Sequence, residues 1–226
     1  MDFGQAFSFV FQDKKWLEKV AIAAGVCLIP YVGQITVLGW GLEITRRVIA
    51  GEEEVLPDWS NFSAHLTRGF QMFLVNLVYS LPILLIAFSG SIVPFFGLFT
   101  QDPEAAMVII SIISICFSCF LLLLGIITSF GLAAAAGNLA AKGELSAGFR
   151  FNEVIGLIKA APGNYLLTVL AAMLVGAIIV PLGLIAFGIG VFFTYTYAWA
   201  VISHLYGQAY FITRKKQLSN PQEVME

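Results

Sequence analysis

Residues 105–141 read AAMVIISIISICFSCFLLLLGIITSFGLAAAAGNLAA, 37 consecutive residues without one charged side chain. About 20 apolar residues suffice to cross the ~30 Å hydrocarbon core of a bilayer. As a continuous helix at about 1.5 Å per residue, this run reaches roughly 55 Å. Asp102 and Glu104 stand before it and Lys142 follows, so its two ends carry opposite charge. Working outward, the 12 basic residues of the chain fall into four clusters: Lys14, Lys15 and Lys19; Arg46, Arg47 and Arg68; Lys142, Arg150 and Lys159; Arg214, Lys215 and Lys216. The apolar runs between clusters extend from 20 to the Arg46–Arg47 pair, from 70 to 140, and from 163 to 212. None has a basic residue where the chain must reverse. Basic residues are retained on the cytoplasmic face during insertion. The pattern therefore puts both termini inside, Asp102 and Glu104 outside, and makes the number of crossings even.

Each run is long enough for two segments. Residues 16–49 break at Ile29-Pro30-Tyr31-Val32-Gly33, leaving about 14 residues or roughly 21 Å per arm, which is short of the core. This first pair is either a thin hairpin or re-entrant, and both return Arg46 to the side of Lys14. Residues 70–98, with Pro82 and Pro94, form a third segment that exits through Thr100–Glu104, and 105–141 forms the fourth. Residues 163–180 and 185–212 reverse around Pro181-Leu182-Gly183. The expected architecture is an all-α integral membrane fold of six segments. Residues 1–216 make one polytopic domain, and 217–226 a short cytoplasmic tail.

Composition agrees. Hydrophobic residues make up 59% of the 226, charged residues 12%, and mean hydropathy is +0.88; soluble domains carry about 25% charged residues. A net charge of −2 without a dense basic face argues against nucleic acid as a partner. The first twelve residues are not expected to act as a signal peptide, because Asp2 stands where a basic start belongs and no cleavage site follows. Cys27, Cys116 and Cys119 lie in apolar surroundings and read as packing residues, although Cys116 and Cys119 form a C-x-x-C.

Short amphipathic stretches precede the odd segments. Phe3, Phe7, Val10 and Phe11 form one apolar stripe. Trp59, Phe62, Leu66 and Phe70 form a second, opposite Asn61, His65 and Arg68. Phe151, Val154, Ile155 and Ile158 form a third, away from Asn152, Glu153 and Lys159. Such stripes suit in-plane interfacial helices or caps on the cytoplasmic mouth of a bundle. Echoes between Phe7-Ser8-Phe9 and Phe149-Arg150-Phe151, and between Gly41-Leu42 and Gly131-Leu132, suggest three repeated helix-plus-hairpin units over 3–50, 58–141 and 146–212.

The opening D-F-G-Q-A-F-S-F-V-F-Q-D-K-K-W-L-E-K, the I-P-Y-V-G-Q turn and the run R-R-V-I-A-G-E-E-E-V-L-P-D-W with Phe62 resemble domain-of-unknown-function family 4013. These are prokaryotic multi-spanning membrane proteins. The resemblance implies a six-segment protein of the prokaryotic cell membrane and no particular activity.

Polar groups within membrane segments are costly and are read first as functional. Glu43, one turn before Arg47, reads as an ion pair at headgroup level. Glu43, Asn76, Asn138 and His204 all lie in the cytoplasmic half and could line an inward-facing polar vestibule. His65 and His204 have no carboxylate at ligand spacing, no phosphate-binding or nucleophile motif occurs, and no cofactor is expected. Phe187-Gly188-Ile189-Gly190 reads as helix packing, and Glu52-Glu53-Glu54 as a solvated loop. Gly125, Ser129, Ala133, Gly137 and Ala141 recur every fourth residue, a small-residue stripe for close helix packing, with Ala135 off the stripe. The chain thus reads as a non-enzymatic membrane scaffold, assembly factor or accessory subunit whose partners are lipids and other membrane proteins. A transporter or channel for a small or lipid-like solute is the alternative.

Overall fold

The computed structural model describes residues 1–90, 92, 102–185 and 188–219. Pro94, Thr100, Phe187 and residues 220–226 lie outside the described residues. Every regular element among those described is helical: α1 (Phe3–Gln12), α2 (Trp16–Cys27), α3 (Val32–Ala50), α4 (Phe62–Gly90), α5 (Pro103–Lys142), α6 (Leu145–Gly148), α7 (Phe151–Ala160), α8 (Pro162–Leu182) and α9 (Gly190–Ser219). A short 3-10 turn, Gly183–Ile185, follows α8. Three stretches are long and apolar enough to cross a membrane: Phe62–Gly90, Glu104–Lys142 and Pro162–Ile185. α9 has the length, with 30 residues, but buries Thr196, Ser203, His204, Gln208 and Thr213 and ends in Arg214-Lys215-Lys216. α2 has only 12 residues, about 18 Å of helix.

The chain divides into two compact units, Met1–Val75 with the chain from Phe130 onward, and Asn76–Ser129. All twelve basic residues belong to the first; in sequence the second holds no charge besides Asp102 and Glu104. In the second unit Gly90 seats the ring of Phe117, where a Cβ would lie 2.1 Å from a ring carbon. Leu85, Phe88, Ile115, Leu123 and Ile127 stand exposed there. In water so much exposed apolar surface would drive aggregation; in a bilayer it is simply solvated by acyl chains.

The first unit is organised around α9, which packs against α1, α2, α3, α7 and α8. α1 runs antiparallel along it: Asp2 meets Gln208, and the Tyr197 hydroxyl donates to the Phe7 carbonyl at 2.8 Å. α3 runs parallel to it, with Thr45 Oγ1 donating to the Ser203 carbonyl at 2.9 Å. Of the 105–141 run, residues 133–140, near the end of α5, are buried throughout.

α3 and α4 meet backbone to backbone. A Cβ on Gly39 would sit 1.8 Å from the His65 carbonyl oxygen, and one on Gly69 would sit 1.8 Å from that of Ile35. Such an approach, available only to glycine, gains dispersion contacts where lipid supplies no hydrophobic drive between helices. It also selects the face of α4 that turns inward. His65, Gly69, Met72 and Val75 are buried, while Phe62 and Phe70 are exposed. The same shift recurs in α1, which buries Ala6, Phe9 and Val10 and exposes Phe7 and Phe11, and in α7, which buries Val154 and Leu157 and exposes Phe151 and Ile155. The large apolar stripes read from the sequence therefore point largely outward.

The first helical pair is pinned at its polar end. Lys19, in the second turn of α2, donates to Asp13 Oδ2 at 2.5 Å and to the Leu56 carbonyl at 2.8 Å, and Trp59 Nε1 donates to the Lys19 carbonyl at 2.9 Å. Trp40 Nε1 donates to the Pro57 carbonyl at 3.1 Å, and the Trp40 and Trp59 rings stack 5.9 Å apart. The 51–61 loop is thereby folded back over the α2–α3 pair. Beyond Lys19 only Val20–Cys27 remain in α2, about 12 Å of helix. The turn itself is tight: Tyr31 adopts φ 61 and Val32 N donates to the Pro30 carbonyl at 2.7 Å, a strained γ-turn.

Candidate functional site

Three polar clusters occupy the first unit. In the first, α3 presents Glu43, Arg46 and Arg47 one turn apart, and the Gly39–Gly69 crossing brings Arg68 of α4 to the same carboxylate. Arg46 donates to both oxygens of Glu43, Nε to Oε2 at 2.9 Å and Nη2 to Oε1 at 2.7 Å. Arg47 Nε reaches Oε1 at 3.2 Å and Arg68 Nη1 reaches Oε2 at 2.7 Å. The pairing of Glu43 with Arg47 anticipated from sequence is thus present, with two further guanidiniums added. Glu43 is 5% exposed, so three cations surround a buried carboxylate. Removing Glu43 would leave three guanidiniums facing Glu52 alone, a far larger loss than for a surface pair. Arg46 also contacts Glu52 at 3.0 Å, and Arg47 Nη1 donates to the Glu54 carbonyl at 2.8 Å. The Glu52-Glu53-Glu54 run is therefore anchored at both ends.

In the second cluster Asn138, on α5, uses its whole amide. Nδ2 donates to the Ala147 carbonyl at 2.8 Å and to Glu153 Oε2 at 3.0 Å, while Oδ1 accepts from the Tyr210 hydroxyl at 3.4 Å. Glu153 also accepts from Lys142 and from Arg150 Nη1. The Lys142 hydrogen bond, then those of Asn138 and Arg150, outweigh desolvation and hold the Glu153 carboxyl down at about 2. This cluster fixes the polar end of α5 against the start of α7 and against α9.

The third cluster joins the start of the chain to α9. The Asp2 amide donates to Gln208 Oε1 at 2.8 Å, and Gln208 Nε2 donates to the Asp2 carbonyl at 2.9 Å. With the oxygen of Gln208 so fixed, its nitrogen faces His204 Nδ1 at 3.2 Å, and that ring nitrogen must accept. The His204 proton then resides on Nε2. Phe9 covers the imidazole, ring centroids 4.5 Å apart. His204, Gln208, Asp2 and Glu52 share a cleft of about 550 Å³.

Of the four residues read as a vestibule, Glu43 lines a separate cleft of about 150 Å³ with Arg46, Arg68 and Gln71. No hydrogen bond between described residues joins Glu43, Asn138 and His204 to one another. Asn76 belongs to the second unit, on α4. Of the small-residue stripe, Gly137 lies against Tyr210, whose Cβ would be 2.7 Å from a Cβ placed on the glycine, and Ala133 is fully buried. Ala141 is exposed and Gly125 has open space around it. Ala134, Ala135 and Ala136 are as buried as Ala133, so burial there is all round rather than along one stripe. Sequence reasoning missed Arg68, Gln208 and Glu153 as partners of the flagged residues. The Asn138–Lys142–Glu153 grouping left a trace, as polar residues bracketing a short loop, and so did Gln208, one helical turn after His204. Among the described residues no three His, Cys, Asp or Glu side chains gather closely enough to hold a metal ion.

Residues 22–188 match the model of a family described as protein of unknown function, DUF4013. The chain belongs to that family. The match takes in the Ile-Pro-Tyr-Val-Gly-Gln turn and the Arg-Arg-Val-Ile-Ala-Gly-Glu-Glu-Glu run but begins after the Asp-Phe-Gly-Gln-Ala opening. No curated protein and no solved structure matches the chain.

Proposed function

We propose that this member of the DUF4013 family is a non-enzymatic multi-pass protein of the prokaryotic cell membrane, a scaffold, assembly factor or accessory subunit. In this reading both termini are cytoplasmic and six segments enter the bilayer. α4, α5, α8 and α9 cross, and α2–α3 form a re-entrant pair. Support for re-entry comes from Lys19, whose bonds to Asp13 and Leu56 place a polar anchor about 12 Å from the tip of α2.

The observation that carries the scaffold reading is how the buried polar groups are used. Glu43 is occupied by three arginines, Asn138 by Ala147, Glu153 and Tyr210, and His204 by Gln208. Glu43 and Asn138 thereby tie separate helices together and His204 bonds within α9, which leaves little chemistry for turnover. A groove of about 550 Å³ between Phe3 and Phe7 of α1 and the Leu167–Ile179 face of α8 is lined by apolar side chains alone, a surface suited to another membrane helix or an acyl chain. The transport alternative draws on one observation, the cleft that joins His204 and Gln208 to Glu52.

Affinity purification from native membranes in mild detergent tests the choice. The scaffold reading expects a stoichiometric membrane-protein partner, lost when Phe7 and Leu174 are both changed to Ser. Purified protein in sealed vesicles that conducts a solute, with flux abolished by His204→Ala and no partner recovered, would replace it with transport.

A further inference from the structure

We propose that the cleft between Arg46, Arg68 and Gln71 binds a phosphate oxyanion, supplied by an anionic lipid headgroup or by free phosphate. The first ground is charge. Three guanidiniums, those of Arg46, Arg47 and Arg68, face two carboxylates, those of Glu43 and Glu52, so the cluster keeps one positive charge in excess. The second is donor count. Both oxygens of Glu43 already accept two hydrogen bonds or ion-pair contacts each, from Arg46 and Arg47 at Oε1 and from Arg46 and Arg68 at Oε2. Arg46 Nη1, Arg68 Nε and Nη2, and the Gln71 amide have no protein acceptor among the described residues, and Arg46, Arg68 and Gln71 line the same cleft. Glu43 thus acts as a spacer that locks two guanidinium planes and leaves their outer N–H groups directed elsewhere.

Size and access agree. The cleft measures about 150 Å³. That is room for about five waters at roughly 30 Å³ each, on the scale of one tetrahedral oxyanion. The Arg46 and Arg68 side chains are each 38% exposed, so the donors are reachable from outside. Guanidinium forks match phosphate oxygens in pairs, which a lone ammonium does not. The cytoplasmic leaflet, where basic residues collect, is also where anionic lipids present phosphates. The inference does not depend on whether the protein is a scaffold or a transporter.

The full chain, delipidated in neutral detergent, would be titrated with phosphatidylglycerol, with diacylglycerol and with inorganic phosphate, and read by native mass spectrometry and thermal shift. Phosphatidylglycerol should bind and raise the melting temperature, while diacylglycerol should not. Gln71→Leu and Arg68→Gln should each weaken binding by about tenfold, the scale of one charge-assisted hydrogen bond. Arg68→Lys should retain part of it. Gln71→Leu leaves every partner of Glu43 in place, so it remains informative if Arg68→Gln fails to fold. Saturable binding of inorganic phosphate with the same dependence on Gln71 would assign the site to a free anion, and its absence beside phosphatidylglycerol binding would assign it to a lipid. Equal binding of diacylglycerol and phosphatidylglycerol, unchanged affinity in Gln71→Leu, or no binding of either phosphate source would overturn the proposal.

Discussion

At the scale of single residues, Glu153 is the clearest case of a charge whose environment sets its behaviour. Its carboxyl is held at about 2, below an ordinary value of 4.5, chiefly by the Lys142 hydrogen bond and then by Asn138. A depressed carboxylate stabilises the fold fully above its unfolded value and loses that contribution as pH falls toward its folded value. Acidification from 4.5 to about 2 should therefore remove the contribution. Glu153→Gln should melt lower than the parent at neutral pH, with the two curves converging in acid. Parallel melting curves across that range would show that the cluster does not stabilise the fold through this charge.

Among the elements, α5 shows both the reach and the limits of a spacing rule. Its length, its lack of charge and its polar end at Asn138–Lys142 are all legible in the sequence. The every-fourth stripe is not the discriminating feature, because Ala133, Ala134, Ala135 and Ala136 are all buried. Leu at Ala135 should therefore cost about as much as Leu at Ala133, on the order of 1–3 kcal/mol of overpacking. Leu at Gly125, whose surroundings are open, should be tolerated. Thermal unfolding in detergent measures this, and an Ala135→Leu variant that melts with the parent would refute it. The amphipathic stripes of α1, α4 and α7 were visible as periodicities, yet their orientation was not. Soluble proteins turn Phe inward because water drives it there. Here Gly69 against Gly39, with His65 beside them, takes the interior of α4, and Phe62 and Phe70 are left outside. Arg68 was invisible as a partner of Glu43, because that contact joins segments distant in sequence, whereas Gln208 stands one helical turn after His204, a spacing the sequence does show.

For the whole molecule, the proposed topology makes accessibility a sharp test. In a background without Cys27, Cys116 and Cys119, single cysteines at 12, 53, 102, 146 and 218 would meet a membrane-impermeant thiol reagent in intact cells. Only position 102 should react, and the others should react once the membrane is opened. A cysteine at Tyr31, at the tip of the α2–α3 pair, should stay unlabelled from outside if that pair turns back within the bilayer. Outside labelling at 31 would mean that the pair spans, and outside labelling at 53 or 146 would overturn the six-segment arrangement.

The separation of charge between the two units has an electrical meaning. A cell membrane held negative inside acts on every fixed charge that crosses it, by about 2.3 kcal/mol per charge for each 100 mV. In sequence the 76–129 stretch carries two acidic residues and no basic ones. On the proposed topology, moving it outward sends two negative charges down the field, whereas turning the chain over would drag twelve positive charges against it. The resting voltage thus becomes a force on biogenesis, pulling the hairpin of α4 and α5 outward and opposing the reverse orientation.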